Sequence, residues 1–302
     1  MALEQSITLK SSLKEALTQY LKEKHAPSTV KRYLREIELF ISSLETLLQN
    51  PVTANYNQIM VYLGELRHTQ SNITPCLCAI KKYYSYLVAQ GIRKDNPAQA
   101  IKLRDHRNRD IQLQDLFTPQ ELALLLERKE RYPLLKNRNQ LILSLLIYQA
   151  LTNGDIINLT LDDLDLAEGK IHIKAARKTN ARTLLLQPKQ VYLLMNYLQT
   201  DRPQLLKEQT SQLIISSRGH AETGEGISYL VETCKGFFPN RKLNAKTIRQ
   251  SVITNLLKSG KDLRLVQAFA GHKYPSSTEK YKQSHLEALK NQVLKYHPLD
   301  NL

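Results

Sequence analysis

Lys246-Thr247-Ile248-Arg249, then Ala270-Gly271-His272, then Tyr281, is the stretch that decides how the other residues of this 302-residue chain are read. Ile248, Val252 and Leu256 recur at helical spacing and mark a buried face. Lys246 and Arg249 lie three apart on a different face and can reach one ligand together. Gly271 ends the next helix, which puts His272 in the turn beyond it, where its ring can point into a cleft. Tyr281 follows nine residues later, in a polar run (Ser276-Ser277-Thr278-Glu279-Lys280) expected to be exposed or mobile.

These side chains suit attack on a phosphodiester. That reaction needs a nucleophile, cations for the phosphate oxygens and a proton donor for the departing sugar oxygen. A phenol has a pKa near ~10, so a tyrosine attacks only with help in losing its proton. An arginine offers a fixed fork to two phosphate oxygens, and a lysine can protonate the leaving group. No metal or cofactor is required. Each residue also has a plainer reading. The chain has 15 tyrosines, so one alone signifies little. A histidine at a helix end is favourable for the dipole alone, and an arginine can simply pair with a carboxylate.

Composition leans the same way. Lys and Arg number 43 against 28 Asp and Glu, a net charge of +15, which favours a polyanionic partner through counterion release. A solvated basic surface gives the same count. Three cysteines (Cys76, Cys78, Cys234) match no metal-ligand spacing and no disulfide framework, and suit a reducing cytosol. The most apolar helical run, Leu141 to Leu151, is far too short for a membrane span, and the N-terminus does not read as a signal peptide. A cytoplasmic, nucleoid-associated protein is expected.

Outward from the deciding stretch, the chain reads as mainly α with a small antiparallel sheet, in two domains with a linker. Residues 1–103 carry four amphipathic stripes. They are Leu9 to Leu21, Val30 to Leu48, Tyr56 to Leu66 (opened by Asn55 and Gln58 in capping-box spacing), and Leu77 to Val88, closed by Gly91. Residues 104–115, rich in Arg and Asp, read as the linker, either lying along a phosphate backbone or simply solvated. Residues 116–302 open with Thr118-Pro119-Gln120-Glu121, a strong helix start. A buried helix follows from about Arg138 to Leu151. Ile171, Ile173 and Thr183 to Leu186 read as a hairpin whose loop holds Lys174, Arg177, Lys178 and Arg182, and Leu213 to Ile215 as a third strand. Helices are expected at Val191–Leu198, Lys246–Lys258, Leu263–Ala270 and Leu286–Leu294.

In this order of parts the chain resembles the tyrosine recombinases, the family of phage integrases and Xer-type resolvases, over nearly its whole length. The first helices resemble that family's four-helix, SAM-like core-binding domain, notably Ser28-Thr29-Val30-Lys31-Arg32-Tyr33 and Gly91-Ile92-Arg93-Lys94-Asp95-Asn96-Pro97. Residues 116–302 resemble its catalytic domain with a C-terminal tail helix. The resemblance implies Tyr281 as nucleophile, forming a 3′-phosphotyrosyl link. It implies Arg249 as the second catalytic arginine, His272 as the glycine-histidine box, and Lys246 where the family usually has histidine. Lys178 falls at the hairpin lysine, with Arg177 and Lys174 as alternatives. DNA contacts are expected from Lys31, Arg32, Lys174, Arg177 and Arg182. The partners implied are a double-stranded recombination site and a homo-tetramer that exchanges C-terminal helices between protomers. The small space before residue 8 suits a minimal, Xer-like layout.

One departure stands out. The family's first catalytic arginine should lie in the turn Gln149-Ala150-Leu151-Thr152-Asn153-Gly154-Asp155, where Thr152 takes its place, and no arginine occurs from Asn139 to Ala176. Loss of one charged donor to a developing oxyanion costs on the order of 10²–10³ in rate. Two expectations compete. Either Arg177, Arg182 or Arg138 substitutes for it in an active recombinase, or the chain is a catalytically impaired DNA-binding or architectural protein derived from one.

Overall fold

The structure is a computed structural model that describes residues 14–66, 70–103 and 115–281. The expected helix at Leu286–Leu294, the stripe residues Leu9 and Leu13, and nearly all of the expected linker lie outside them. The described residues fall into two compact units, one within residues 1–108 and one within 109–302.

The first unit holds α1 (residues 14–22), α2 (Pro27–Thr46), α3 (Tyr56–Glu65) and α4 (Gln70–Ala89). Their apolar stripes meet in one core, where the ring of Phe40 is met edge-on by Tyr62 and Tyr84. Asn55 and Gln58 form the capping box that starts α3. Gly91, at φ 69°, ends α4: its N–H bonds back to Val88 O and that of Ile92 to Leu87 O. The Gly91–Pro97 stretch then staples the unit. Arg93 Nη1 donates to Val52 O (2.7 Å) and Ala54 O (2.8 Å), and Asn96 Nδ2 to Lys81 O (2.9 Å).

The second unit begins at α5 (Pro119–Leu124), whose Thr118–Glu121 capping box is formed as the sequence predicts. Next come α6 (Lys136–Tyr148), buried on nearly every side, and the short α7 (Asn153–Ile157). Strands β1 (Leu164–Asp165), β2 (Lys170–Ile173) and β3 (Arg182–Leu185) form an antiparallel sheet in that order. Ile171 pairs with Leu184 and Ile173 with Arg182, so Ile171, Ile173 and Leu184 face the core while His172 and Thr183 face out.

The third strand is thus β1, not Leu213–Ile215. That apolar segment is buried but spends its backbone elsewhere. Leu213 N–H donates to Leu159 O, Ile215 N–H to the Tyr197 hydroxyl, and Leu213 O accepts from Tyr197 and Arg202, so no ladder forms. Helix α8 (Pro188–Asn196) runs into a π-helical turn, Tyr197–Asp201, and α9 (Arg202–Leu205). The remaining helices are α10 (Gly224–Thr233), α11 (Ala245–Lys258), α12 (Leu263–Ala270) and α13 (Ser276–Glu279).

Helix α11 is locked in place by polar as well as apolar contacts. Ile248 and Ile253 are fully buried, Phe117 N–H donates to Ser251 Oγ (2.9 Å), and Asn255 Nδ2 donates to Phe117 O (3.0 Å). A buried amide without such a partner costs about 1–3 kcal/mol, so these two bonds fix both the rotation and the depth of the helix. No helix among the described residues is long and apolar enough to cross a membrane.

Candidate active site

The locked rotation of α11 aims Arg249 inward. Asn244 and Thr247 form its capping box, and Arg249, two residues on, is 8% exposed. Its Nη1 donates to Ala150 O (2.5 Å) and its Nη2 to Ala270 O (2.6 Å). One guanidinium therefore ties the turn after α6 to the end of α12. Ala150 sits at φ 50°, a left-handed conformation that costs an L-residue on the order of 1 kcal/mol. Thr152 follows as the N-cap of α7: its Oγ1 accepts from Asp155 N–H, and Asp155 Oδ2 accepts from Thr152 N–H.

Gly271 has φ 69° and closes α12, with His272 N–H bonding back to Gln267 O. The conformation alone favours glycine, and space requires it: an added Cβ would lie 2.5 Å from Arg182 Nη1. The turn is clamped to the sheet, because Asn180 N–H donates to Gly271 O (2.9 Å) and Thr179 forms a β-bridge with His272. That tether fixes the root of the hairpin tip, where Ala176 and Thr179 bridge and Arg177 and Lys178 are the two exposed turn residues. Lys174 is drawn off, paired with Asp163 (3.0 Å) and donating to Thr160 Oγ1 (3.1 Å).

His272 Nδ1 is 2.8 Å from Thr278 Oγ1, and its ring stacks on that of Tyr281 (centroids 6.1 Å apart, planes 15° apart). The polar run before Tyr281 is therefore not a loose segment. It forms α13, and Thr278 is fully buried because the His272 ring satisfies its hydroxyl. Tyr281 packs on the cluster of Ile253, Leu257, Val266 and Ala270.

The electrostatics follow from burial beside cations. Burial first, then Arg249 and Arg182, lower the His272 pKa to about 4. Burial raises the Tyr281 pKa, with Arg249 opposing. The phenol is thus protonated at neutral pH, and His272 is neutral. The unfolded chain takes up that proton near pH 6.5 and the folded one only near 4. Stability should therefore decline as pH falls through that window, and level off below it. NMR titration of the His272 ring should give a midpoint near 4. A midpoint near the ordinary value would contradict the burial of the ring beside the two arginines.

An open cleft of about 440 Å³ lies before these groups, lined by Thr152, Asn153, Ser228, Asn244, Ala245, Lys246, Arg249, Gln250 and Tyr281. The structure thus brings Lys246, Arg249, Tyr281 and Thr152 to one cavity, with His272 stacked on Tyr281. Lys31 and Arg32 are exposed on α2 of the first unit. Arg182 is a correction: rather than facing outward from the loop, it opens β3 and is 8% exposed, because its register opposite Ile173 turns it inward. Arg138 is taken by Glu222 and Ile215 O at the other end of α6. Sequence reasoning missed Asp155 and Thr278. The Thr152-x-x-Asp155 spacing was a readable capping signal for the first, whereas nothing local marked the second.

Comparison with known proteins gives a consistent picture. Residues 116–287 match the Phage integrase family. The tyrosine recombinase XerD of Lacticaseibacillus casei is 25% identical over 280 residues, covering 90% of this chain and 93% of the relative. The tyrosine recombinase XerC of Oceanobacillus iheyensis is 26% identical over 297 residues, covering 95% and 96%. Among solved structures, XerH site-specific recombinase bound to difH substrate superposes with TM-score 0.66 at 18% identity, covering 86% of this chain and 78% of that one. A lambda integrase dimer bound to a COC′ core site gives 0.64 at 14% identity, covering 90% and 94%. These two establish likeness of fold.

Proposed function

The chain belongs to the phage integrase family, and from that membership we propose that it is a site-specific DNA recombinase of the tyrosine type. The observation that carries this reading is the convergence of Arg249, Lys246 and Tyr281 on one cleft, with His272 stacked behind the phenol. Residues 1–103 act as the core-binding domain and residues 116–302 as the catalytic domain. Lys31, Arg32 and the hairpin-tip residues Arg177 and Lys178 contact the duplex.

In the reaction, the phenol oxygen of Tyr281 bonds to phosphorus as its proton passes to solvent in the open cleft, a loss that the charge of Arg249 favours. The bond from phosphorus to the 5′ oxygen breaks, leaving a 3′-phosphotyrosyl link and a free 5′ hydroxyl. Arg249 and Lys246 balance the charge on the phosphate oxygens, since fixed cations in a partly dry site stabilise developing charge more than water does. The hairpin residue that protonates the leaving oxygen is Lys178: of the two side chains at the tip, its ammonium gives up a proton far more readily than a guanidinium. Rejoining reverses these steps on a new 5′ hydroxyl. Four protomers assemble on two sites and exchange their C-terminal helices. Thr152 stands in place of the family's first arginine, so the rate falls below that of members that have it.

The test is a duplex selected for tight binding and carrying a nick beside the scissile phosphate, so that the short leaving fragment diffuses away. A covalent protein–DNA adduct is expected to accumulate. Duplex binding without any adduct would instead identify a DNA-binding protein that has lost the chemistry.

A further inference from the structure

Arg182 is a buried cation with unfinished bonding. Its Nη2 donates to Asp155 Oδ2 (3.1 Å), while Nε and Nη1 are buried with no acceptor among the described residues. Both members of the pair are nearly enclosed, with side chains 5% exposed each. The pair lies next to the cleft. Arg182 Nη1 packs on Gly271, and Asp155 lies in α7, directly after the turn that holds Ala150, whose carbonyl accepts from Arg249. Both charges act on Arg249 in opposite senses, Asp155 favouring its charged form and Arg182 opposing it.

The arrangement has a simple charge logic. Asp155 is required locally, because its Oδ2 accepts the Thr152 N–H (3.0 Å) and starts α7. Left alone beside Arg249, that carboxylate would cancel the guanidinium charge meant for a phosphate. Two buried arginines against one carboxylate leave a net positive charge, and removing Arg182 leaves none. We propose that Arg182 is a positioning residue that occupies Asp155 and so keeps the charge of Arg249 available to the phosphate. It does not reach the cleft and so is not a substitute for the arginine replaced by Thr152. It preserves the charge of the Arg249 guanidinium that lines the cleft. The inference rests on the phosphate-binding reading of the cleft.

Charge compensation distinguishes this role from mere packing. In Arg182→Gln, adduct formation on the nicked duplex should slow on the order of 10²-fold, and Arg182→Lys should retain a rate within about tenfold of the parent. The decisive variant is Asp155→Asn with Arg182→Gln. The Asn oxygen still accepts Thr152 N–H, no buried charge is left unpaired, and the net charge around Arg249 is restored. Its adduct rate should recover to within about tenfold of the parent, a non-additivity typical of directly coupled charges. Thermal unfolding of each protein confirms that folded material is compared. Should Arg182→Gln fail to fold, as removal of one buried partner often causes, the double variant and Arg182→Lys still decide the matter. A folded double variant slower than that limit, or a folded Arg182→Gln as fast as the parent, overturns the proposal. Inorganic phosphate affinity, measured calorimetrically with Arg249→Ala as blank, should follow the same order. A parent protein that binds phosphate but forms no adduct would sink the recombinase reading while leaving this pairing to be judged on phosphate affinity.

Discussion

Tyr281→Phe should bind the selected duplex as the parent does and form no covalent adduct on the nicked form. The substitution removes one oxygen and keeps the ring, and the ring is what stacks on His272 and packs against Ile253, Leu257, Val266 and Ala270. Binding energy comes mainly from phosphate contacts spread over a basic surface, which this change does not touch. Cleavage and binding therefore separate completely in this variant. Gel-shift affinity and denaturing electrophoresis of the same samples read the two quantities. Adduct persisting in Tyr281→Phe would move the nucleophile to another residue.

Arg249→Lys should lose on the order of 10²–10³ in the single-turnover rate of adduct formation. Charge is conserved in this variant, so the loss would measure geometry. The guanidinium spans Ala150 O and Ala270 O with two nitrogens, and a lysine ammonium is a single point at the end of a flexible stem that cannot span both. One of the two carbonyls would be left without its donor, which adds a stability cost of about 1–3 kcal/mol. Urea unfolding alongside the kinetics separates the two effects. A lysine variant with parental rate would mean that Arg249 contributes charge alone.

Features with local causes were legible in the sequence. Asn55 with Gln58 and Thr118 with Glu121 start helices where their spacing says they should, and Leu263–Ala270 runs to the glycine that ends it. The mainly helical fold with its small antiparallel sheet followed from the apolar spacing and the hairpin pattern. What escaped was decided by partners distant in the chain. Arg182 reads as one more loop cation until the register Ile173↔Arg182 turns it inward onto Asp155. Leu213–Ile215 reads as a strand until the hydroxyl of Tyr197 and the carbonyl of Leu159 claim its backbone. Ser276–Lys280 reads as mobile or exposed, and Ser276, Glu279 and Lys280 are exposed, but Thr278 is buried where His272 engages it. The Gly271-His272 turn shows both halves of the lesson: its glycine and its helix end were visible, while the arginine packed against that glycine was not.

On the proposed reading, Tyr281 makes the covalent bond to DNA. Protease digestion of the adduct from the nicked duplex, with fragmentation of the nucleotide-bearing peptide, tests it directly. The expected products are a 3′-phosphodiester on the phenol oxygen of Tyr281 and a free 5′ hydroxyl on the released strand. A nucleotide carried by any other residue, or a 5′-linked product, would contradict it.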